Sequence, residues 1–237
     1  EHLLQRLDEA RPDIVFNIAE GRGGRAREAQ VPALLNLLHI PFTGSDETTL
    51  CIALDKALCK RLLSTYRVPT PRAKVFAPGE PVRSGALRFP VIVKPNAEGS
   101  SKGIADVCIA KDAAELKLRV TQNLARYGGT VLAEEFIPGR EFTVGILGNG
   151  GQTHVFEPME IVYHASPIDG FNVYNYTVKQ EYPKYVTYRC PAETTPALDA
   201  RLKRLSKTVF QALGCRDFAR VDFRVAEDGT VYFIEIN

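Results

Sequence analysis

Hydrophobic and polar positions recur along this chain with two periods, and the switches between them outline its elements. Residues 13–19, "DIVFNIA", form an apolar run bounded by Pro12 and a Gly-rich loop, and Val31, Leu34, Leu35 and Leu38 follow at helical spacing. The pattern predicts a strand, a loop and a helix. A turn at "IPFTGS" leads to a second helix over 48–65, which stops before "VPTP" because proline cannot continue it. Two strands, 89–95 and 104–110, are joined by "NAEGSSKG". A helix then opens at Asp112 with Glu115 as its capping-box partner, burying Ala113, Leu116, Val120 and Leu124.

Further strands are expected in "TVLAEEFI", "EFTVGIL" and "THVFEPMEIV". The polar and aromatic stretch 163–190 is too long for a connector and reads as a functional loop. Helix 196–213 starts with Pro196 in its first turn, buries Leu198, Leu202, Leu205, Val209 and Leu213, and stops at Gly214. Three lobes are expected, over 1–52, 53–133 and 134–237, in an α/β protein assembled from α+β lobes.

The chain closes with "FARVDFRVAEDGTVYFIEIN", two alternating runs flanking Asp228-Gly229. A two-residue turn there makes 227 face 230, which sets Asp222 opposite Glu235 and Arg220 opposite Asn237 on one face. Carboxylates directly opposed destabilise a sheet by up to roughly 1 kcal/mol unless something compensates them. Two readings stand: a solvated face with Arg220 and Arg224 nearby, or a divalent cation between hard oxygens, with Asn237 adding a neutral one.

Composition narrows the class. The 237 residues suffice for several lobes, and a net charge of +2 from 30 basic and 28 acidic residues gives no field that implies nucleic acid or a membrane as partner. Small-molecule partners are favoured. No apolar run reaches transmembrane length, and the first residues carry no signal-peptide pattern. The five cysteines, at 51, 59, 108, 190 and 215, lack zinc-site spacing and read as reduced, mostly buried thiols of a cytoplasmic protein.

Two stretches carry candidate chemistry. "VIVKPNAEGSSKG" ends a strand at Lys94 and enters a loop whose backbone N–H groups suit an anion, although its spacing matches neither a Walker A loop nor a dinucleotide fingerprint, and the loop alone reads first as an ordinary strand connection with a surface lysine. "LAEEFIPGREF" places Glu134 and Glu135 at a strand end, Gly139 in the turn and Glu141 in the next strand, which by itself is an exposed turn. Together with the hairpin carboxylates, these features fit a nucleotide site.

The succession "EGRGG", "IPFTGS", "LDKALCKRLL", "FPVIVKPNAEGSSKGI", "EEFIPGREFTVGILG", "YNYTVK", "CPAE", "ARVDF" and "FIEIN" resembles the ATP-grasp superfamily, specifically the D-alanine–D-alanine ligases. The resemblance spans nearly the whole chain. It implies an ATP-grasp fold with an N-terminal α/β lobe, a small central lobe and a C-terminal antiparallel-sheet lobe, and ATP held between the last two. Lys56 and Lys94 would contact its phosphates, with Gly99, Ser100 and Ser101 closing over them. The backbone at Glu134, Phe136 and Ile137 would hold adenine, and Glu141 the ribose. Lys179 would reach the γ-phosphate, Arg220 would stabilise the acyl phosphate, and Ser100 joins them as a catalytic candidate. Asp222, Glu235 and Asn237 would bind Mg²⁺, two ions being implied and Mn²⁺ an acceptable substitute.

Departures from the family pattern fall on the amino-acid side. This chain reads "GRGGRAREAQ" where acidic residues are usual, and has Gln180 where an aromatic residue commonly follows the lysine. The family's first N-terminal strand and the segment beyond Asn237 are missing, which implies a piece of a longer chain. The resulting expectation is a cytoplasmic, ATP-dependent carboxylate–amine ligase of peptidoglycan biosynthesis that acts on amino acids and admits a homodimer. The alternatives are an ATP-grasp ligase for other amino acids or small acids in secondary metabolism, and a nucleotide-binding protein without catalysis.

Overall fold

A computed structural model describes residues 2–98, 108–166, 170–174 and 176–237. The first part is helical: α1 (His2–Ala10), α2 (Gln30–Leu37), α3 (Glu47–Leu54) and α4 (Lys56–Thr65), with a 3-10 turn at Arg27–Ala29. The apolar run 13–19 forms no strand. Its one sheet contact is a parallel bridge from Val15 to Phe42, and Ile14, Phe16 and Ile18 are exposed. Apolar alternation stabilises a strand only when neighbours supply a ladder, and the described residues offer 13–19 a single bridge. On α2 the buried positions are Pro32 and Leu35, while Leu38 is exposed.

The helix expected over 48–65 is two helices, broken at Asp55. Asp55 has extended backbone (φ −81°, ψ 92°) and caps α4, its Oδ1 accepting from the Leu58 N–H at 2.9 Å. The same Oδ1 accepts from Asn96 Nδ2 at 2.9 Å, and Oδ2 accepts from Arg25 Nε at 2.8 Å. Asn96 returns bonds to the start of α4, its carbonyl accepting from Lys56 N and its Oδ1 from Ala57 N. A side chain that satisfies the orphan amides of a new helix outcompetes continuation of the old one. The break makes Lys56 the first residue of α4.

Two antiparallel sheets follow. The smaller has the order β1 (Ala73–Phe76), β4 (Val131–Glu135), β2 (Val91–Pro95), β3 (Cys108–Ala110). Val91, Val93, Val131 and Ala133 pack on Leu116 and Val120 of α5 (Ala113–Tyr127), while Ile92, Lys94 and Glu134 point the other way. Ala113, expected in the buried face of α5, is exposed; the Glu115 N–H donates to Asp112 Oδ1, and the Glu115 carboxylate accepts from the Lys111 N–H rather than from that of Asp112. The strand carrying Glu134, in which the third lobe was expected to begin, is thus hydrogen-bonded into this smaller sheet.

The larger sheet runs β10 (Val231–Ile236), β9 (Phe218–Val225), β5 (Arg140–Leu147), β7 (Met159–Tyr163), β8 (Val186–Arg189), with β6 (His154–Val155) on β5. Period-two alternation sends Phe142, Val144, Val221, Phe223, Val225 and Phe233 to a core shared with α8 (Pro196–Ala212) and α4. Each fully buried phenylalanine there contributes roughly 1.5–3 kcal/mol. The stretch 163–190 is not one loop but holds α6 (Tyr176–Gln180), α7 (Tyr182–Tyr185) and β8. Among the described cysteines only Cys59 is buried; Cys51 and Cys215 are half-buried and Cys190 is exposed. Among the described residues no helix is long and apolar enough to cross a membrane.

Asp55→Ala removes the α4 cap and orphans the buried Asn96 amide. It is expected to lower stability by about 2 kcal/mol in urea unfolding, with the midpoint falling at unchanged slope.

Candidate active site

The opposed carboxylates arise by a different route from the expected one. Near the turn Val225 pairs with Val231 and Arg224 with Tyr232, and the Ala226 N–H bonds to the Thr230 carbonyl, so the loop has three residues, 227–229. Gly229 takes the left-handed conformation (φ +82°) that such a loop requires. A bulge between Phe233 and Glu235 then restores the register, and Asp222 faces Glu235. Arg220 and Asn237 exchange both backbone bonds, at 2.7 and 2.8 Å. The turn error and the unforeseen bulge cancel. The bulge also lets Ile234 and Glu235, though consecutive, both line the cleft.

Arg220, Asp222 and Arg224 of β9 therefore share a face with Glu141 and Thr143 of β5. Arg220 clamps Asp222 through two bonds of 3.0 Å, and Asn237 Nδ2 donates to Asp222 Oδ2 at 3.2 Å. Burial raises the Asp222 carboxyl above its usual range despite Arg220, with Glu235 adding to the rise. Burial would raise Glu235 too, but Lys56, Lys94, Lys179 and Arg220 outweigh it and hold that carboxyl low. Two carboxylates and an amide oxygen are hard donors, the set that suits Mg²⁺ when phosphates and water supply the remaining ligands. Among the described residues no group of three or more His, Cys, Asp or Glu side chains competes as a metal site.

The smaller sheet faces this stripe. Glu134, 1% exposed, contacts Lys94 and lies 2.9 Å from Lys60 Nζ. Burial opposes its charge, but the two ammonium groups hold its carboxyl down at about 2. The Glu134 main chain, read as an adenine contact, is paired with Ile92 inside the sheet. At Phe136 the N–H bonds to the Pro90 carbonyl at 3.0 Å, and proline has no N–H to return, so its own carbonyl receives no bond from Pro90. Ile137 lines the cleft, and Arg224 stacks on the Phe136 ring at 4.8 Å. Glu141 accepts from Tyr163 at 2.8 Å and from Arg224 at 3.1 Å, and burial raises its carboxyl. Gly139 is required in this turn, because a Cβ there would lie 2.1 Å from the Val225 carbonyl oxygen.

Two cavities meet at this site. One, about 140 Å³, is lined by Lys94, Glu134, Ile137, Glu141, Asp222 and Arg224. The other, about 490 Å³, is lined by Glu20, Glu28, Lys56, Glu98, Phe218 and Asn237. Lys179, Arg220 and Glu235 line both. Lys179 sits over the Tyr174 ring at 5.3 Å, and Lys56 Nζ donates to the Glu98 carbonyl at 2.7 Å. Gly99, Ser100 and Ser101 lie outside the described residues. Sequence reasoning missed Lys60 and Arg27. Arg27 is 4% exposed and donates to the Ala97 carbonyl and the Glu98 carboxylate, tying the first part of the chain to the start of the Lys94 loop. The signal for Arg27 was its place in "GRGGRAREAQ", whereas nothing in "LDKALCKRLL" marked Lys60 as buried.

Since the folded Glu134 carboxyl titrates near 2 against an ordinary 4.5, its stabilisation is present above about pH 4.5 and is lost as pH falls through about 2. Glu134→Gln is expected to lower neutral-pH stability by about 3 kcal/mol, by leaving two buried ammonium groups unpaired. It is also expected to flatten stability against pH in that acid window, which denaturant titrations at several pH values measure.

The family model described as "D-ala D-ala ligase C-terminus" matches residues 80–237. An uncharacterised protein of Sinorhizobium fredii is 35% identical over 94% of this chain and 64% of its own length. The D-alanine–D-alanine ligase of Aquifex aeolicus is 34% identical over 98% of this chain and 74% of its own. The structure of the D-alanine–D-alanine ligase from Bacillus anthracis complexed with ATP superposes with a TM-score of 0.77, at 24% identity, over all of this chain and 72% of that one. This chain thus spans about two thirds to three quarters of its relatives' length. The architecture is the ATP-grasp fold, and the chain belongs to the D-alanine–D-alanine ligase family.

Proposed function

We propose that the protein is an ATP-dependent carboxylate–amine ligase, joining two small amino acids through an acyl phosphate. The observation that carries this reading is the trio Lys179, Arg220 and Glu235, which lines both cavities. A nucleotide with its base in the smaller cavity and its phosphates reaching the junction would meet there an amino acid held in the larger one. A carboxylate oxygen attacks the γ-phosphorus and ADP departs; an amine then attacks the acyl carbon, phosphate leaves, and the amine proton passes to solvent.

The residues would act mainly by positioning and charge neutralisation. Lys94 and Lys56 supply buried positive charge for phosphates, and Lys179 supplies it at the junction of the cavities. Phe136 and Ile137 offer main-chain groups to adenine, and Glu141 offers a carboxylate to ribose hydroxyls. Gly99, Ser100 and Ser101 are assigned to the phosphate cover on the family resemblance alone. Asp222, Glu235 and Asn237 would hold Mg²⁺, as one or two ions with Mn²⁺ as a substitute, and the metal when bound neutralises phosphate oxygens. Arg220 presents a planar fork that can hold an acyl phosphate and a developing oxyanion together.

D-alanine is one substrate of this reading. Glu20 and Glu28 in the larger cavity, and Arg25 and Arg27 where the family has acidic residues, favour a substrate range that includes other amino acids. The reading also places the protein in the cytoplasm, in peptidoglycan precursor synthesis, as a soluble monomer or homodimer with no nucleic-acid or membrane partner.

Phosphate release by the full-length protein with ATP, Mg²⁺ and a panel of D- and L-amino acids tests the reading. Release that depends on at least one small amino acid is expected; ATP turnover indifferent to every amino acid would overturn it. Arg220→Lys is expected to lower turnover about 10²-fold, with nucleotide affinity unchanged, because the contact tightens in the transition state. Amide formation at the wild-type rate would return Arg220 to a merely charge-balancing role.

A further inference from the structure

Glu134 is shared by two buried cations that belong to different parts of the molecule. Lys94 rises from β2 and lines the smaller cavity together with Glu134. Lys60 comes from α4 and lines a separate cavity beside that helix, with Asp55, Arg61 and Asn96. The Lys60 ammonium lies 2.9 Å from Glu134, 3.4 Å from the Phe233 carbonyl and 5.7 Å from the centre of the Phe233 ring. Lys60 and Lys94 are 5% and 7% exposed. Two buried positive charges thus share one buried negative charge.

This imbalance bears on nucleotide binding. An incoming phosphate draws Lys94 towards it and so competes with Glu134 for that ammonium. Were Lys94 the carboxylate's one partner, its departure would leave a buried, unpaired negative charge, which is strongly unfavourable. Lys60 removes that cost, because it remains on Glu134 and does not line the nucleotide cavity. We propose that Lys60 is a positioning residue for nucleotide binding, the fixed counter-ion of Glu134 whose presence leaves Lys94 free to exchange that carboxylate for a phosphate. This inference rests on the nucleotide reading of the smaller cavity.

Calorimetric titration of the full chain with a non-hydrolysable ATP analogue and Mg²⁺ tests it. Lys60→Met is expected to weaken binding about tenfold, the loss of roughly one charge-assisted contact. Lys60→Arg keeps the charge and should stay near wild type. The decisive variant is Lys60→Met combined with Glu134→Gln, where the neutral amide needs no counter-ion and Lys94 is released, so that affinity should return towards the wild-type value. Unchanged affinity in Lys60→Met, even with a lower melting temperature, would make Lys60 purely structural and overturn the proposal. If Lys60→Met alone does not fold, an analogue affinity in the double variant as poor as that of Lys94→Met overturns it equally. Failure of the wild-type protein to bind the analogue would instead overturn the nucleotide reading, and this inference with it.

Discussion

The buried contact of Glu134 with Lys60 and Lys94 is the interaction on which the cleft depends. Each of the two sheets turns one face away from its apolar core, and those faces carry charges because strand alternation leaves them nowhere else to point. Buried charges on facing stripes are tolerable only if charge is matched locally. Glu134 does this for the smaller sheet, and the Arg220–Asp222 and Arg224–Glu141 pairs do it for the larger one. What remains is a positive surplus, since Lys56, Lys179 and the shared Lys94 all act on the one carboxylate of Glu235. A cleft with that surplus attracts a polyanion and is neutralised by it.

Helix α4 links the charge pattern to the backbone. Its N-terminus exists because Asp55 captures the first amides and Asn96 holds the turn, and the break puts Lys56 against the start of the Lys94 loop. Its middle supplies Lys60 to the smaller sheet, while Cys59 and Leu63 pack into the core of the larger one. One helix thus sets the relation between the two sheets and contributes two cations.

The closing hairpin shows how a local rule can succeed for an incomplete reason. Asp-Gly signals a tight turn, but Gly229 serves as the left-handed residue of a three-residue loop, and the bulge at Ile234 returns the lost position. The bulge matters chemically as well, since it presents an apolar side chain and a carboxylate side by side to the cleft, which strict alternation forbids.

Much was legible in the sequence because it depends on neighbours along the chain. The amphipathic face of α8, most strands of both sheets though not β1 or β8, the Asp112 cap of α5 and the facing of Asp222 and Glu235 are readable from periodicity and short-range hydrogen bonding. The ATP-grasp fold and the family were legible in the motif order. Three things were not. Residues 13–19 have a strand's composition, but a strand is a property of a ladder, and the described residues supply one bridge. Asp55 interrupts a good helical pattern because Asn96, some forty positions on, completes its cap. Lys60 looks like any solvent-facing lysine on a helix, and only the approach of Glu134 from another sheet makes it a buried counter-ion. Periodicity assigns a residue to a face, whereas the partner that neutralises a charge on that face arrives from a distant part of the chain, and only the tertiary structure decides which one it is.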